Sequence, residues 1–146
     1  MMTTDSQLSF DMERIIAWGD CDAAGITYYA KNFEWFTDGY MQLLNSLGLP
    51  YMETFHYQGI SLVCLKADCQ YKKMLRPLEK IIVRTTLHSL TRTRLEFHYQ
   101  VIKGNGEVAA EGVTSHTYVN NDGKPLNLQR KFPTLWESFN NKFLNK

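Results

Sequence analysis

The chain has 146 residues, 44% of them hydrophobic, which suits one domain with a continuous core. Its 16 basic and 15 acidic residues leave a formal net charge of +1, so nothing global favours a nucleic-acid or anionic-membrane partner. The three cysteines, Cys21, Cys64 and Cys69, show no CxxC spacing, which argues against a disulfide framework or a zinc site and for reduced, buried thiols.

Met1 to Leu8 are polar and lack the basic start and apolar run of a signal peptide. No stretch approaches the roughly 20 apolar residues that cross a bilayer, so a cytoplasmic protein without membrane insertion is expected. Arg14, Ile16 and Trp18 alternate with Glu13, Ile15 and Ala17, predicting a short first strand.

Next comes Trp18-Gly19-Asp20-Cys21-Asp22-Ala23-Ala24-Gly25-Ile26-Thr27-Tyr28-Tyr29, which sets two carboxylates and a glycine ahead of a long amphipathic helix. Free N–H groups at a helix start carry partial positive charge and can polarise a carbonyl, while a nearby carboxylate attacks it or activates water. That pairing suits acyl transfer. The helix is predicted over Lys31–Leu47, where Phe33, Phe36, Tyr40, Leu43, Leu44 and Leu47 recur at spacings of three and four. Lys31, Glu34, Asp38, Gln42 and Asn45 fill much of the opposite side, and Gly48 and Pro50 supply the stop.

Strands follow at Ile60–Gln70, Ile81–Leu90, Arg94–Lys103 and Val108–Val119, all rich in Val, Ile, Thr, Tyr and Phe. Lys103-Gly104-Asn105-Gly106-Glu107 reads as a hairpin turn. Leu95, Phe97, Tyr99 and Val101 alternate with Glu96, His98 and Gln100, the pattern of an antiparallel sheet covered on one face. From Lys131 to Lys146, with Phe132, Trp136 and Phe139, a short helix or tail is expected to pack on the outside. One apolar helix beside one antiparallel sheet buries its stripe best by lying across it, so an α+β domain of about five strands curled around the helix is predicted over residues 1–146. Apolar residues on both strand faces imply that a second copy or a ligand covers the remaining surface.

Several residues have a chemical and a plain reading. Asp22 is a catalytic carboxylate or a helix cap or turn residue; Asp20 is a partner carboxylate or, more simply, a loop-shaping acceptor of backbone N–H groups. The pair lacks the further oxygen ligands a hard cation wants, so no metal is expected. Gly25 permits positive φ or close approach of substrate. Cys21 has no histidine near it in sequence to act as its base. The four histidines are scattered, and those in strands, His88, His98 and His116, read as packing or surface groups. Arg92 and Arg94 flank Thr93 at a tight connection, free to meet anions or merely solvated. Lys124, Arg130 and Lys131 form a weaker basic cluster.

Gly19-Asp20-Cys21-Asp22-Ala23-Ala24-Gly25-Ile26, then Tyr29, the aromatic helix with Phe33 and Trp35, and later Asp122-Gly123-Lys124-Pro125, resemble the hotdog-fold acyl-CoA thioesterases of the 4-hydroxybenzoyl-CoA thioesterase type, which include those associated with the Tol-Pal system. The likeness runs from about Glu13 to Pro133. It implies a hotdog fold, hydrolysis of an acyl-CoA to a free acid and CoA, and no cofactor. It further implies that Asp22 is nucleophile or general base, that the backbone N–H of Tyr29 bonds the thioester carbonyl within a site loop containing Gly25, and that the turn at Arg92, Thr93 and Arg94 touches the CoA nucleotide. A homodimer or homotetramer with the site between subunits is also implied. Ala23 stands where the family often has proline, which removes no chemical group. An acyl-carrier-protein thioesterase and a non-catalytic acyl-CoA-binding module are the alternatives.

Overall fold

The computed structural model describes residues 8–144, so the polar start at residues 1–7 and the last two residues of the expected tail lie outside the described residues. In chain order the elements are β1 (Ser9–Ile15), α1 (Lys31–Ser46), α2 (Tyr51–Thr54), β2 (Ser61–Tyr71), β3 (Lys80–Leu90), β4 (Arg94–Lys103), β5 (Val108–Val119), α3 (Leu128–Lys131) and α4 (Pro133–Leu144). The five strands form one antiparallel sheet in the order β1-β3-β4-β5-β2. This is the expected α+β arrangement, with β2 at the sheet edge although it directly follows the helical segment.

α1 lies on the face formed by Ile81, Val83, Leu87, Leu95, Phe97, Tyr99 and Val101, all buried. Phe36 stacks on Tyr99 at 4.2 Å between ring centroids and Tyr40 on Phe97 at 4.9 Å. Gly112 makes room for this contact, because a Cβ there would collide with the Phe36 ring and the Asp68 carbonyl. Trp35 is fully buried while Phe33 is only half-buried, so the stripe is rotated slightly from the one that periodicity suggests. Removing an aromatic such as Phe36 from this interface would cost about 3–5 kcal/mol.

Three expectations are corrected. None of the three cysteines is buried: Cys64 is exposed, and Cys21 and Cys69 are half-buried, because they sit in the site loop and along the edge strand β2. The first strand starts and ends earlier than predicted, at Ser9–Ile15, because pairing with β3 terminates at Ile15 opposite Lys80. Trp18, read as its last apolar residue, instead lies in a single 3₁₀ turn and is 70% exposed. The C-terminal segment is helical from Pro133, but it does more than cover the outside: Phe139 is fully buried and meets Phe55 at 6.3 Å. No helix among the described residues is long and apolar enough to cross a membrane.

Candidate active site

The loop between β1 and α1 is fixed at both ends. Ile16 is fully buried, donates its N–H to Glu79 O at 2.9 Å and accepts from Leu78 N at 2.7 Å, while Thr27 N donates to Leu75 O at 2.8 Å. These bonds tie the loop to the segment just before β3. Asp20, 4% exposed, accepts the N–H of Ala17 at 2.9 Å. Its carboxylate also lies 3.6 Å from both Arg14 and Lys31. Arg14 in turn sits 5.8 Å from the centre of the Trp35 ring, so the ion pairs join loop, strand and helix. The plain reading of Asp20, a loop-shaping acceptor, matches this geometry.

Asp22 has the opposite setting. Asp22 and Gly25 close a turn in which Gly25 N donates to Asp22 O at 3.0 Å and Gly25 takes φ +76°, the left-handed region where a Cβ is strained. The Asp22 side chain is exposed; Oδ1 accepts from Ala24 N at 2.8 Å, and Oδ2 takes no hydrogen bond among the described residues. Beyond the turn, Tyr28 N donates to Asp20 O at 2.8 Å and Lys31 N to Tyr28 O at 2.9 Å, which leads the chain into α1. The N–H of Tyr29, between these two, has no acceptor among the described residues, and Tyr29 is 63% exposed. A donor and a carboxylate at one helix entrance are the parts that acyl transfer requires.

Tyr71, at the end of β2, is a group that sequence reasoning missed. Its hydroxyl donates to Tyr29 O at 2.6 Å. Desolvation and the neighbouring Cys69 push the phenol up to about 12, so it remains a donor across the neutral range. No local signal could mark this contact, which joins residues 42 apart in the chain. The Cys21 thiol is pushed above its ordinary range by desolvation and then by the carboxylates of Asp20 and Asp22, the reverse of what an activated thiolate needs. His116 is buried against Tyr40, bonds Thr114 Oγ1 at 2.9 Å, and is pushed down to about 4 by burial, consistent with packing.

The structure places the arginine turn elsewhere. Thr91 Oγ1 accepts from Thr93 N at 3.3 Å and Arg94 N at 3.0 Å, shaping the turn and leaving Arg92, Thr93 and Arg94 exposed. Neither guanidinium has an ion-pair partner among the described residues. This turn follows the last residue of β3, whereas the Asp22 loop is tied to the segment before its first. At about 3.3 Å per residue the 11-residue strand separates them by about 33 Å within one chain. Lys124 is likewise exposed, and Arg130 and Lys131 end the short α3.

Residues 16–143 match the family described as the thioesterase-like superfamily. The chain is 31% identical over 124 residues to a protein of Aquifex aeolicus described only as an esterase, covering 85% of this chain and 94% of the relative. It is 28% identical over 109 residues to the 1,4-dihydroxy-2-naphthoyl-CoA hydrolase of Crocosphaera subtropica, covering 73% of this chain and 80% of that protein. Among solved structures, a DHNA-CoA thioesterase from Staphylococcus aureus superposes with a TM-score of 0.86 at 25% identity, covering 91% of this chain and 89% of that one.

Proposed function

The chain belongs to the thioesterase-like superfamily, is a thioester hydrolase of hotdog fold, and from that premise we propose that it cleaves an acyl-CoA thioester using Asp22 and the amide of Tyr29. The observation that carries this reading is the pairing of an exposed carboxylate having one oxygen uncommitted with an unbonded N–H at the same helix entrance. Two routes share these parts. In one, Asp22 attacks the carbonyl carbon, the C–S bond breaks, CoA leaves as its thiolate, and water hydrolyses the mixed anhydride. In the other, Asp22 takes a proton from water, which attacks directly. In both, the Tyr29 N–H bonds the carbonyl oxygen as negative charge develops on it. Tyr71 holds the Tyr29 carbonyl and so orients the peptide leading into α1.

The site is completed by a second copy. β2 is an edge strand of 11 residues along which Val63 and Leu65 are 42% and 48% exposed, an unpaired ladder suited to another strand. If two β2 strands pair antiparallel about a two-fold axis, the Tyr71 end of one meets the Ser61 end of the other. Ser61 pairs with Val119, and Arg94 with Thr117, so that end carries the arginine turn. The 33 Å gap within one chain is thereby bridged between chains, with Asp22 of one protomer facing Arg92 and Arg94 of its partner.

The relatives named as 1,4-dihydroxy-2-naphthoyl-CoA hydrolases supply the first acyl group to test. Trp18, Tyr28 and Tyr29, all well exposed around the Asp22 loop, give an aromatic acyl group flat apolar surfaces to stack on. Free thiol release from 1,4-dihydroxy-2-naphthoyl-CoA, 4-hydroxybenzoyl-CoA, aliphatic acyl-CoAs and an acyl-carrier-protein ester should show the highest kcat/KM on an aromatic CoA ester. Preference for the carrier-protein ester would replace the CoA reading, and no hydrolysis of any member would overturn the catalytic assignment.

A further inference from the structure

The face of the sheet turned away from α1 carries a group of side chains that the thioester chemistry leaves unused. On β3 the buried Ile81, Val83, Thr85 and Leu87 alternate with Ile82, Arg84, Thr86 and His88, so strand alternation puts His88 on this outer face, at the bulge between Leu87 and Ser89. There its imidazole stacks on that of His98 from β4, at 3.9 Å between centroids and 15° between planes. Glu96 lies two residues before His98 on the same face of β4. His98 Nε2 donates to Glu96 Oε2 at 2.8 Å, and His88 Nε2 lies 3.9 Å from the same oxygen. Ser115 from β5 donates to Glu96 Oε1 at 3.3 Å, which fixes the carboxylate from its far side.

We infer that His88, Glu96 and His98 form a binding site for a late transition-metal dication such as zinc, separate from the Asp22 loop. The donor set is two imidazoles and one carboxylate, the set that zinc accepts together with a water in the fourth position. The three ligand atoms lie within 4.8 Å of one another. Metal–ligand bonds of about 2.0–2.1 Å in a tetrahedral site need donor atoms roughly 3.3 Å apart. The existing separations of 2.8 and 3.9 Å therefore bracket the required value, and half-exposed side chains can supply the sub-ångström shifts. Near-parallel rings do not aim their lone pairs at one point, so binding splays the stack. The Nε2 proton of His98 is released to Nδ1 or to solvent as the nitrogen lone pair goes to the metal. Ser115 supplies the outer hydrogen bond that orients a ligating carboxylate.

The surroundings leave the fourth position accessible. Both imidazoles line an open groove of about 990 Å³ together with Phe10, Arg84, Thr86 and Gln100. Arg84, the one Arg or Lys in that lining, is already engaged by Asp11 at 2.8 and 2.9 Å through a two-pronged bond, so its charge is compensated.

Calorimetric titration of the chelator-stripped full-length chain with zinc chloride at neutral pH should give saturable binding of one ion per chain with micromolar affinity. His88→Ala, His98→Ala and Glu96→Gln should each weaken it roughly tenfold or more, and the double histidine variant should abolish it. These side chains are solvent-facing, and circular dichroism checks that the variants fold. Asp22→Asn, Cys64→Ser and His56→Ala should bind zinc as the parent does, which separates this site from the catalytic loop and from adventitious thiol or histidine ligation. The absence of saturable binding, binding that survives loss of both histidines, or binding that disappears with Asp22 or Cys64 would each overturn the inference.

Discussion

Asp20 and Asp22 sit in the same loop with one residue between them, and the fold treats them oppositely. Asp20 is closed off from solvent, accepts a backbone N–H and is flanked by Arg14 and Lys31. Asp22 projects from a turn with one carboxylate oxygen uncommitted. The first has spent its hydrogen-bonding capacity on holding the loop; the second has kept it for something outside the chain. The same division runs across the molecule: His116 is buried with its Nε2 bonded to Thr114, whereas Arg92 and Arg94 are exposed without an ionic partner among the described residues.

The comparison breaks most sharply on Asp22. Asp22→Asn should fold as the parent does and lower kcat on the best thioester by about a hundredfold or more, as expected for removing a nucleophile or general base. Parent-like turnover by a folded variant would place the chemistry elsewhere. Asp20→Ala tests the other half of the contrast. It leaves Arg14 and Lys31 without their shared anion and the Ala17 amide without an acceptor, and chemical denaturation should show a loss of about 2–3 kcal/mol. A variant stable to within 0.5 kcal/mol would show that the ion pairs are incidental.

His116 makes the buried side of the comparison pH-dependent. Its folded pKa, near 4, lies below the ordinary value of 6.5, so between those values the unfolded chain binds a proton that the folded chain refuses. Stability therefore rises with pH through this window and is lost as pH falls, by about 2 kcal/mol between pH 7 and pH 5. Unfolding free energies at the two pH values should differ by about that much less in His116→Gln than in the parent. An equal pH dependence in both would remove His116 from the account.

The smallest effect belongs to the exposed arginines. Replacing Arg92 and Arg94 together by Ala should raise KM for an acyl-CoA several-fold with little change in kcat, since binding of a remote phosphate is similar in ground and transition states. Added salt should weaken the parent more than the double variant, because such contacts are screened over about 8 Å at physiological ionic strength. A pantetheine thioester lacking the nucleotide should not distinguish the two proteins. If it does, the turn is not a nucleotide contact.

The sequence by itself determined the helix, the last four strands and the site loop. Periods of 3.6 and 2 report which side of an element is buried, so α1 and β2 to β5 were legible to within a residue or so at their ends. The Asp-rich turn with Gly25 announced itself because its conformation and charge are local properties. Trp18 misled because a large apolar side chain looks like a strand residue, yet the end of β1 is set by where β3 stops pairing with it. Phe139 was misjudged because only packing decides whether a terminal helix covers a surface or fills a core. Tertiary structure alone decided that Tyr71 reaches the Tyr29 carbonyl, that Asp20 rather than Asp22 takes the two cations, and that the pairing of β3 with β4 sets His88 against His98. These contacts join strands, helix and loop, and no local spacing encodes them because strand register and helix placement are settled only when the whole apolar face is buried together.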